Sequence, residues 1–434
     1  MRIVVISYHY PPDPAVGGLR AAKVAEAFRR AGHGVHVVAA QVPEASVPLV
    51  RTPGGIVIER VRAWRNPREL WLAWKRRGGG VAATGAAKAP PAEASAALPV
   101  RVPTWKRMIF SALWLPDDHQ GFAPAAAAAA RRAFPEGVDL VYTTAPPFSG
   151  HLAGLWLSWR RGVRWIAEFR DPWTDNAWKP AHVRSAWSDA VERWLERQTL
   201  DRAERIVAVS EGIARLFRAK LPPDASDRVL LIRNGIEWLA PPGARPPAPG
   251  PKRVVHVGSF YFGRDPRLFL AALAQVVARH RLGPADLQVD LVGRCRWYNG
   301  VSVEAEVSRL GLDGLVHFQD WVPHEACQGI VRGADVLLLL AQQQPDQVPN
   351  KLYEYLGTRA PILAFADDAG ETAAMLREAG GHILVTGTDP EAATRGIEEA
   401  LGLAAEPRVQ PDDRRLRAWT TEGQMDHLLT ALGG

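Results

Sequence analysis

Apolar runs that do not alternate with polar residues recur along this chain, and most are followed by a stretch of helical periodicity. In the first half Arg2–Ser7 (RIVVIS), Val35–Ala40, Ile56–Glu59, Val138–Tyr142, Arg164–Glu168, Arg205–Val209 and Arg228–Ile232 read as strands. Runs of this kind suit parallel strands covered on both faces. Leu19–Ala31, closed by Gly32, and Ala123–Arg132, Ser149–Trp159 and Ser185–Ala203 read as helices. Strand–helix alternation predicts a doubly wound α/β domain. A proline-rich stretch, Pro241–Pro251 (PPGARPPAPGP), then interrupts the pattern as a stiff linker. Beyond it the alternation restarts. Strands are predicted at Arg253–Val257, Gln288–Val292, Leu315–Phe318, Asp335–Leu340, Pro361–Phe365 and His382–Val385. Helices are predicted at Pro266–Arg281, Val303–Leu310, His324–Gly333, Lys351–Thr358 and Glu371–Ala379. The expected architecture is α/β, with two doubly wound Rossmann-like domains facing each other across a cleft. The expected boundaries are residues 1–240 and 252–411, joined by linker 241–251, with a helical tail at 412–434 that packs back on the N-terminal domain.

One segment breaks the rhythm. Residues 64–115 hold Trp64, Trp71, Trp74, Lys75, Arg76 and Arg77, then a low-complexity run, then Trp105, Lys106 and Arg107. The middle has the composition of a disordered segment. The flanks join cations to large apolar groups, as helices at a lipid interface do. A surface loop is the other reading. The chain of 434 residues carries a net charge of +7, a pI near 9.6 and 16 tryptophans. That balance points to an anionic membrane surface or a phosphorylated substrate. No zinc-finger spacing or RNA-binding aromatic signature supports a nucleic-acid partner. No apolar stretch reaches the length of a membrane span, and the first residues read as a strand rather than a signal peptide. Cys295 and Cys327 make neither a disulfide framework nor a zinc site. A cytoplasmic protein, peripheral on the inner membrane surface, is the expectation.

Candidate chemistry lies at the expected strand ends, where open α/β sheets bind ligands. Gly17 and Gly18 precede the first helix and allow close approach of an anion to its N-terminus. Their spacing does not match GxGxxG, and GxxxxGK[ST] is absent, so a nicotinamide cofactor is disfavoured. Glu168-Phe169-Arg170-Asp171-Pro172-Trp173 follows a strand. Asp171 there is placed to orient or deprotonate an acceptor hydroxyl, with Arg170 holding it ionised or binding phosphate. A structural Arg–Asp pair at a strand end is the plainer reading. His151, in TTAPPFSGHLAG, either lines the cleft or packs and caps its helix. Gly258-Ser259-Phe260-Tyr261-Phe262-Gly263-Arg264 offers glycine and hydroxyl amides to a phosphate, and Arg264 binds one bidentately. Pro345–Pro361 (PDQVPNKLYEYLGTRAP) opens a short helix near Asn350. The free amides of that first turn, Lys351, and the acids Asp346 and Glu354, eight residues apart, suit a diphosphate and a ribose together.

These pieces together resemble the family-4 retaining glycosyltransferases of the GT-B fold. The motifs that carry the likeness are YHYPPDPAVGG, TTAPPFSGHLAG, AEFRDPWTDN, VSEGI with RNGIE, HVGSFYFGRDP and NKLYEYLGTRAP. The likeness covers nearly the whole length apart from residues 64–115. It implies transfer of a sugar from a nucleotide diphosphate sugar to an acceptor hydroxyl without a metal or other cofactor. It places Glu354 as the second acid of the family's Glu-x7-Glu pair, on the ribose, and Asp346 as the first, near the donor sugar. It gives Arg264 and Lys351 the departing diphosphate. The chain departs from the family pattern in carrying Asp346 where the first acid is Glu, and Ser259 where a basic residue is common. Both departures fit members acting on lipid-linked polysaccharide precursors, hence a sugar or lipid-linked acceptor. A nucleotide-sugar epimerase of the same fold and a non-catalytic sugar-nucleotide-binding member are the alternatives.

Overall fold

The computed structural model describes the chain apart from residues 14, 44–46, 65–110, 112–114, 162, 177–184, 244–249, 262, 404–410 and 434. Nearly all of the expected insert and the middle of the proline-rich linker lie outside the described residues. Two compact units emerge. One comprises Met1–Arg233 with Met425–Gly434, the other Asn234–Gln424.

The first unit runs β1 (Arg2–Ser7), α1 (Val16–Arg30), β2 (Gly34–Ala40), β3 (Leu49–Arg51), β4 (Val57–Val61), α2 (Phe122–Arg132), β5 (Leu140–Ala145), α3 (Ser149–Arg161), β6 (Arg164–Phe169), α4 (Ala186–Arg202), β7 (Arg205–Ala208), α5 (Glu211–Lys220) and β8 (Val229–Leu231). Its sheet has eight strands in the order β3-β4-β2-β1-β5-β6-β7-β8. All neighbours are parallel except β3 and β4. The absence of alternation in RIVVIS has a direct cause. Ile3 and Val5 enter one core and Val4 and Ile6 the opposite one. The sequence pattern places the start of α1 after the glycine pair, but the helix starts at Val16 and takes both glycines into its first turn. A side chain on Gly18 would press on the backbone of His9 and Tyr10 at 3.0–3.2 Å, so the glycine is there for packing. Helix α4 carries its own start signal: Ser185 Oγ accepts from the Ser188 N–H, and Ser188 Oγ from the Ser185 N–H.

The second unit runs β9 (Lys252–Val257), α6 (Arg267–His280), β10 (Leu287–Val292), the hairpin β11 (Trp297–Tyr298) and β12 (Val301–Ser302), α7 (Val303–Arg309), β13 (Val316–Gln319), α8 (His324–Gly333), β14 (Val336–Ala341), α9 (Asn350–Thr358), β15 (Ile362–Ala366), α10 (Glu371–Ala379), β16 (Ile383–Val385), α11 (Pro390–Ala400) and α12 (Asp413–Ala418). Six parallel strands lie in the order β13-β10-β9-β14-β15-β16. The tail is two helices rather than one. α12 ends before Trp419, and α13 (Thr421–Ala431) begins after the chain has paired with Ile236. The Ile236 N–H donates to the Trp419 carbonyl and the Thr421 N–H to that of Ile236. These bonds satisfy groups that a continuous helix would bond internally. From Met425 on, α13 belongs to the first unit, where Met425 and Leu428 join the core of Ile3, Val5 and Phe28.

In both units the strand order reverses beside the first strand: β1 lies between β2 and β5, and β9 between β10 and β14. Reversal points of this kind are where open α/β sheets hold ligands.

Candidate functional site

In the second unit the reversal point gathers a glycine turn, two cations and a helix N-terminus. β9 ends at Val257, and Gly258 follows with φ +129°, a backbone that L side chains rarely adopt. Lys351, in the first turn of α9, donates from Nζ to the Val257 carbonyl at 2.8 Å. A side chain on Gly258 would meet that Nζ at 2.8 Å, so the glycine is required twice over. One turn on, the Tyr355 hydroxyl accepts from the Val257 N–H at 3.0 Å. Lys351 and Tyr355 therefore pin one face of α9 to the end of β9. Burial, and then the charge of Arg264, push the Lys351 ammonium down to about 7.

Arg264 is half-buried, with its guanidinium over the Tyr261 ring at 4.5 Å and its Nε without a partner. Burial lowers its affinity for its proton as well. Among the described residues neither Lys351 nor Arg264 makes an ion pair with a carboxylate. Below them lies His256, fully buried. Its Nδ1 donates to the Leu338 carbonyl at 3.0 Å, which leaves Nε2 as an acceptor without a partner. Burial, with Lys351 and Arg264 nearby, holds it well below the ordinary imidazole range. The α9 N-terminus adds backbone N–H groups and the positive end of its dipole. Two cations without a carboxylate ion-pair partner among the described residues, a helix N-terminus and a glycine turn make an arrangement that favours a multiply charged anion.

The other expected donor residues lie on the same segments. Ser259 is half-buried after Gly258, Asn350 is exposed as the first residue of α9, and Glu354 is half-buried one turn in. Asp346 is exposed on the loop four residues before the helix, so it shares no helical face with Glu354.

In the first unit the charges after β6 separate. Glu168 is fully buried, bonded at Oε1 by Arg20 Nε (2.9 Å) and the Tyr142 hydroxyl (2.8 Å). Burial alone would raise this carboxyl, but Arg20 and the hydroxyls beside it outweigh that and hold it below its usual range. Arg20 also donates to the carbonyls of Ile232 and Arg233, so this pair ties α1 and β6 to the segment after β8. Arg170 spends its guanidinium on the carbonyls of Gly17 (2.6 Å) and Pro146. A side chain on Gly17 would overlap it. Asp171 is half-buried with no hydrogen bond or ion pair among the described residues. Burial raises its pKa, against the pull of Arg170.

His151 is the one candidate whose setting differs from the expectation of a cleft residue. It has 0% exposure, its Nδ1 meets the Thr143 hydroxyl at 2.7 Å, and its ring packs on Phe169 with centroids 4.5 Å apart. Burial, then Arg170, push it down to about 3, so it stays neutral. It is a core histidine because α3 turns its first-turn face into the sheet. His256 and Arg20 were not singled out by the sequence. Both sit in quoted or adjacent motifs, and a charged or polar residue inside an otherwise apolar strand or helix face was the available signal.

Two Rossmann-like units in one chain, with an anion site at the reversal point of the second, define the GT-B class of glycosyltransferases. Family models agree. A glycosyl transferase 4-like domain matches residues 63–235, and the glycosyl transferases group 1 domain matches residues 251–402. The chain belongs to the group 1 glycosyltransferases and is an enzyme that transfers sugars. No curated protein matches it in sequence. Among solved structures, sucrose-phosphate synthase from Thermosynechococcus elongatus is similar, with TM-score 0.60 and 16% identity over 100% of this chain and 98% of that one. The α,α-trehalose-phosphate synthase (UDP-forming) of Burkholderia vietnamiensis gives 0.60 and 13%, covering 100% and 99%. Anabaena HepE in complex with UDP gives 0.56 and 13%, covering 100% and 99%. At these identities the likeness is one of fold. Among the described residues no helix is long and apolar enough to cross a membrane.

Proposed function

We propose that the enzyme transfers a sugar, with retention, from a nucleoside diphosphate sugar to an acceptor hydroxyl in cell-surface polysaccharide or glycolipid synthesis. The observation that carries this reading is the pair of cations, Lys351 and Arg264, beside Gly258 and the α9 N-terminus, neither with a carboxylate ion-pair partner among the described residues. Negative charge grows on the diphosphate as its bond to the sugar breaks, so fixed positive groups favour the transition state over the ground state. Asn350 and the amides of Ser259 add hydrogen bonds, Glu354 takes the ribose hydroxyls, and Asp346 the donor sugar. In the first unit Asp171 orients the acceptor hydroxyl; its raised pKa and the lack of a hydrogen-bond partner among the described residues support that role. No metal enters this reading, since the protein's own cations supply the charge. UDP in a structural neighbour is consistent with such a donor.

A lipid-linked acceptor and contact with an anionic membrane surface belong to the same proposal. They are supported by the Trp- and Arg-rich composition of residues 64–115 and by exposed Trp159, Trp187 and Trp194 on helices of the first unit. The decisive experiment compares wild type with the Lys351→Ala, Arg264→Ala double variant by calorimetry against a panel of nucleoside diphosphates and their sugars. The expected result is loss of binding for every ligand that the wild type takes up. Unchanged binding in the double variant would remove the phosphate assignment. Loss of either cation is expected to slow turnover about 100-fold or more.

A further inference from the structure

Helix α4 reverses the usual arrangement of a surface helix. Its acids Glu192 and Glu196 are 7% and 3% exposed, whereas Trp187 and Trp194 are 50% and 52% exposed. Large rings normally turn to the core and carboxylates to water. For Glu196 the cause is internal. It accepts from the Thr174 hydroxyl at 2.7 Å and from Lys220 Nζ at 2.6 Å. Nothing internal accounts for the two tryptophans. Neither makes a hydrogen bond, ring contact or cation contact among the described residues. Two bare rings on one helix need an explanation in terms of what covers them.

The rings are seven residues apart, so nearly two full turns bring them onto one line, about 10 Å apart along the axis. Exposed Ala190 and half-buried Val191 stand between them, and no charge falls on that line before Asp201. Cations flank it. Arg193, Arg197 and Arg202 are exposed on α4 against one exposed acid, Asp201, which pairs with Arg197 at 2.9 Å. Arg202 also lies over the exposed Trp159 ring of α3 at 5.1 Å, which carries the aromatic and basic surface onto the next helix. Two half-exposed indoles offer at most about 250 Å². A stable protein partner covers roughly 800 Å² a side, so this crest is too narrow for one. It suits a lipid interface, where indoles sit at headgroup level and guanidinium groups meet phosphate.

We infer that the outer face of α4, with Trp187 and Trp194 at its crest, is the surface on which the enzyme lies against an anionic lipid bilayer. The inference rests on the membrane reading above and gives it a place. It also links the membrane to the candidate acceptor residue. Through Glu196 the inner side of α4 holds Thr174, three residues beyond Asp171. A helix is about 10 Å thick, so seating α4 on the headgroups sets the Asp171 loop roughly one helix diameter above them. That height is within reach of a sugar borne on a lipid headgroup.

The test is co-sedimentation with vesicles of phosphatidylcholine, alone or with about one third phosphatidylglycerol. It compares wild type with Trp187→Ala, Trp194→Ala together, with Trp187→Phe, Trp194→Phe together, and with Arg193→Glu. Wild type is expected to bind the anionic vesicles and to release them at high salt. The alanine pair is expected to weaken binding by at least about tenfold and Arg193→Glu by roughly fivefold, while the phenylalanine pair keeps most of it. Melting temperature and nucleoside diphosphate affinity are expected to stay at wild-type levels in all three. Should the alanine pair fold poorly, Arg193→Glu decides in its place, because Arg193 makes no hydrogen bond or ion pair among the described residues. Wild-type binding that these variants leave unchanged overturns the inference and returns the membrane reading to other surfaces. A wild type that binds neither kind of vesicle overturns the membrane reading and the α4 face with it.

Discussion

An ammonium set against a carbonyl, shielded from water and facing a guanidinium, releases its proton easily. For Lys351 the free-protein value is about 7. A bound diphosphate neutralises the repulsion from Arg264 and returns the ammonium toward its ordinary range. Above pH 7 binding must therefore take up a proton. Affinity for a nucleoside diphosphate is expected to fall by up to about tenfold per pH unit between pH 7 and 9. Calorimetry across that range checks this, and Lys351→Arg is expected to flatten the dependence, because a guanidinium stays charged throughout. Lys351, Arg264 and Glu354 could be picked out in the sequence as charged residues on the loops and first helical turns that follow apolar strands. His151 was half legible: its place after a strand end was right, but which way a helix face turns depends on tertiary packing against Phe169 and Thr143. His256 lies inside an apolar strand, and only the fold shows that its Nε2 lies beneath the site.

At the scale of elements, a glycine turn at Gly258 joins β9 to the loop that carries Ser259 and Arg264. Gly258→Ala forces an L side chain into φ +129° and against Lys351 Nζ. It is expected to cost about 1–3 kcal/mol of stability and to weaken nucleotide binding, read by chemical denaturation and by titration of the folded variant. Gly32→Ala, at φ +81° with open space around it, is the control. It is expected to lower stability without touching nucleotide affinity. Strand positions were read from the sequence to within a few residues, because buried parallel strands are continuous apolar runs. The start of α1 was misplaced by three residues because paired glycines usually break helices, whereas here close packing on His9 and Tyr10 requires them inside one. The short antiparallel β3 was not foreseen. Its three residues are all exposed, so no burial pattern announced it.

For the whole molecule, acid is the revealing stress. His151 has a folded value of about 3, and His256 also lies well below the ordinary range, whereas both regain an ordinary value near 6.5 when unfolded. The unfolded chain thus binds more protons than the native one below pH 6.5. The stability these neutral imidazoles preserve is full above that pH and is lost as pH falls toward 3, at up to about 1.4 kcal/mol per pH unit for each. Urea midpoints measured from pH 7 to 4 are expected to fall, and His151→Phe to flatten the curve. A second whole-molecule test concerns α13. Leu428→Ala, in the core of the first unit, is expected to cost about 2–5 kcal/mol. Calorimetric scans are expected to show the first unit melting earlier and the second at its usual temperature. The two doubly wound units were legible from strand–helix alternation. A helical tail was expected to pack back on the N-terminal domain, and residues 425–432 do join the first unit, although the break at Thr420, set by its pairing with Ile236, was not foreseen. That return sets an order on biosynthesis. The ribosome makes the first unit early, yet the residues that seal the floor beneath Ile3, Val5 and Phe28 emerge only after all of residues 234–424. Until then the nascent N-terminal half carries an uncovered greasy face, which makes it a client for chaperones during translation, and a product truncated at residue 233 should clump unless the missing helix is supplied in trans.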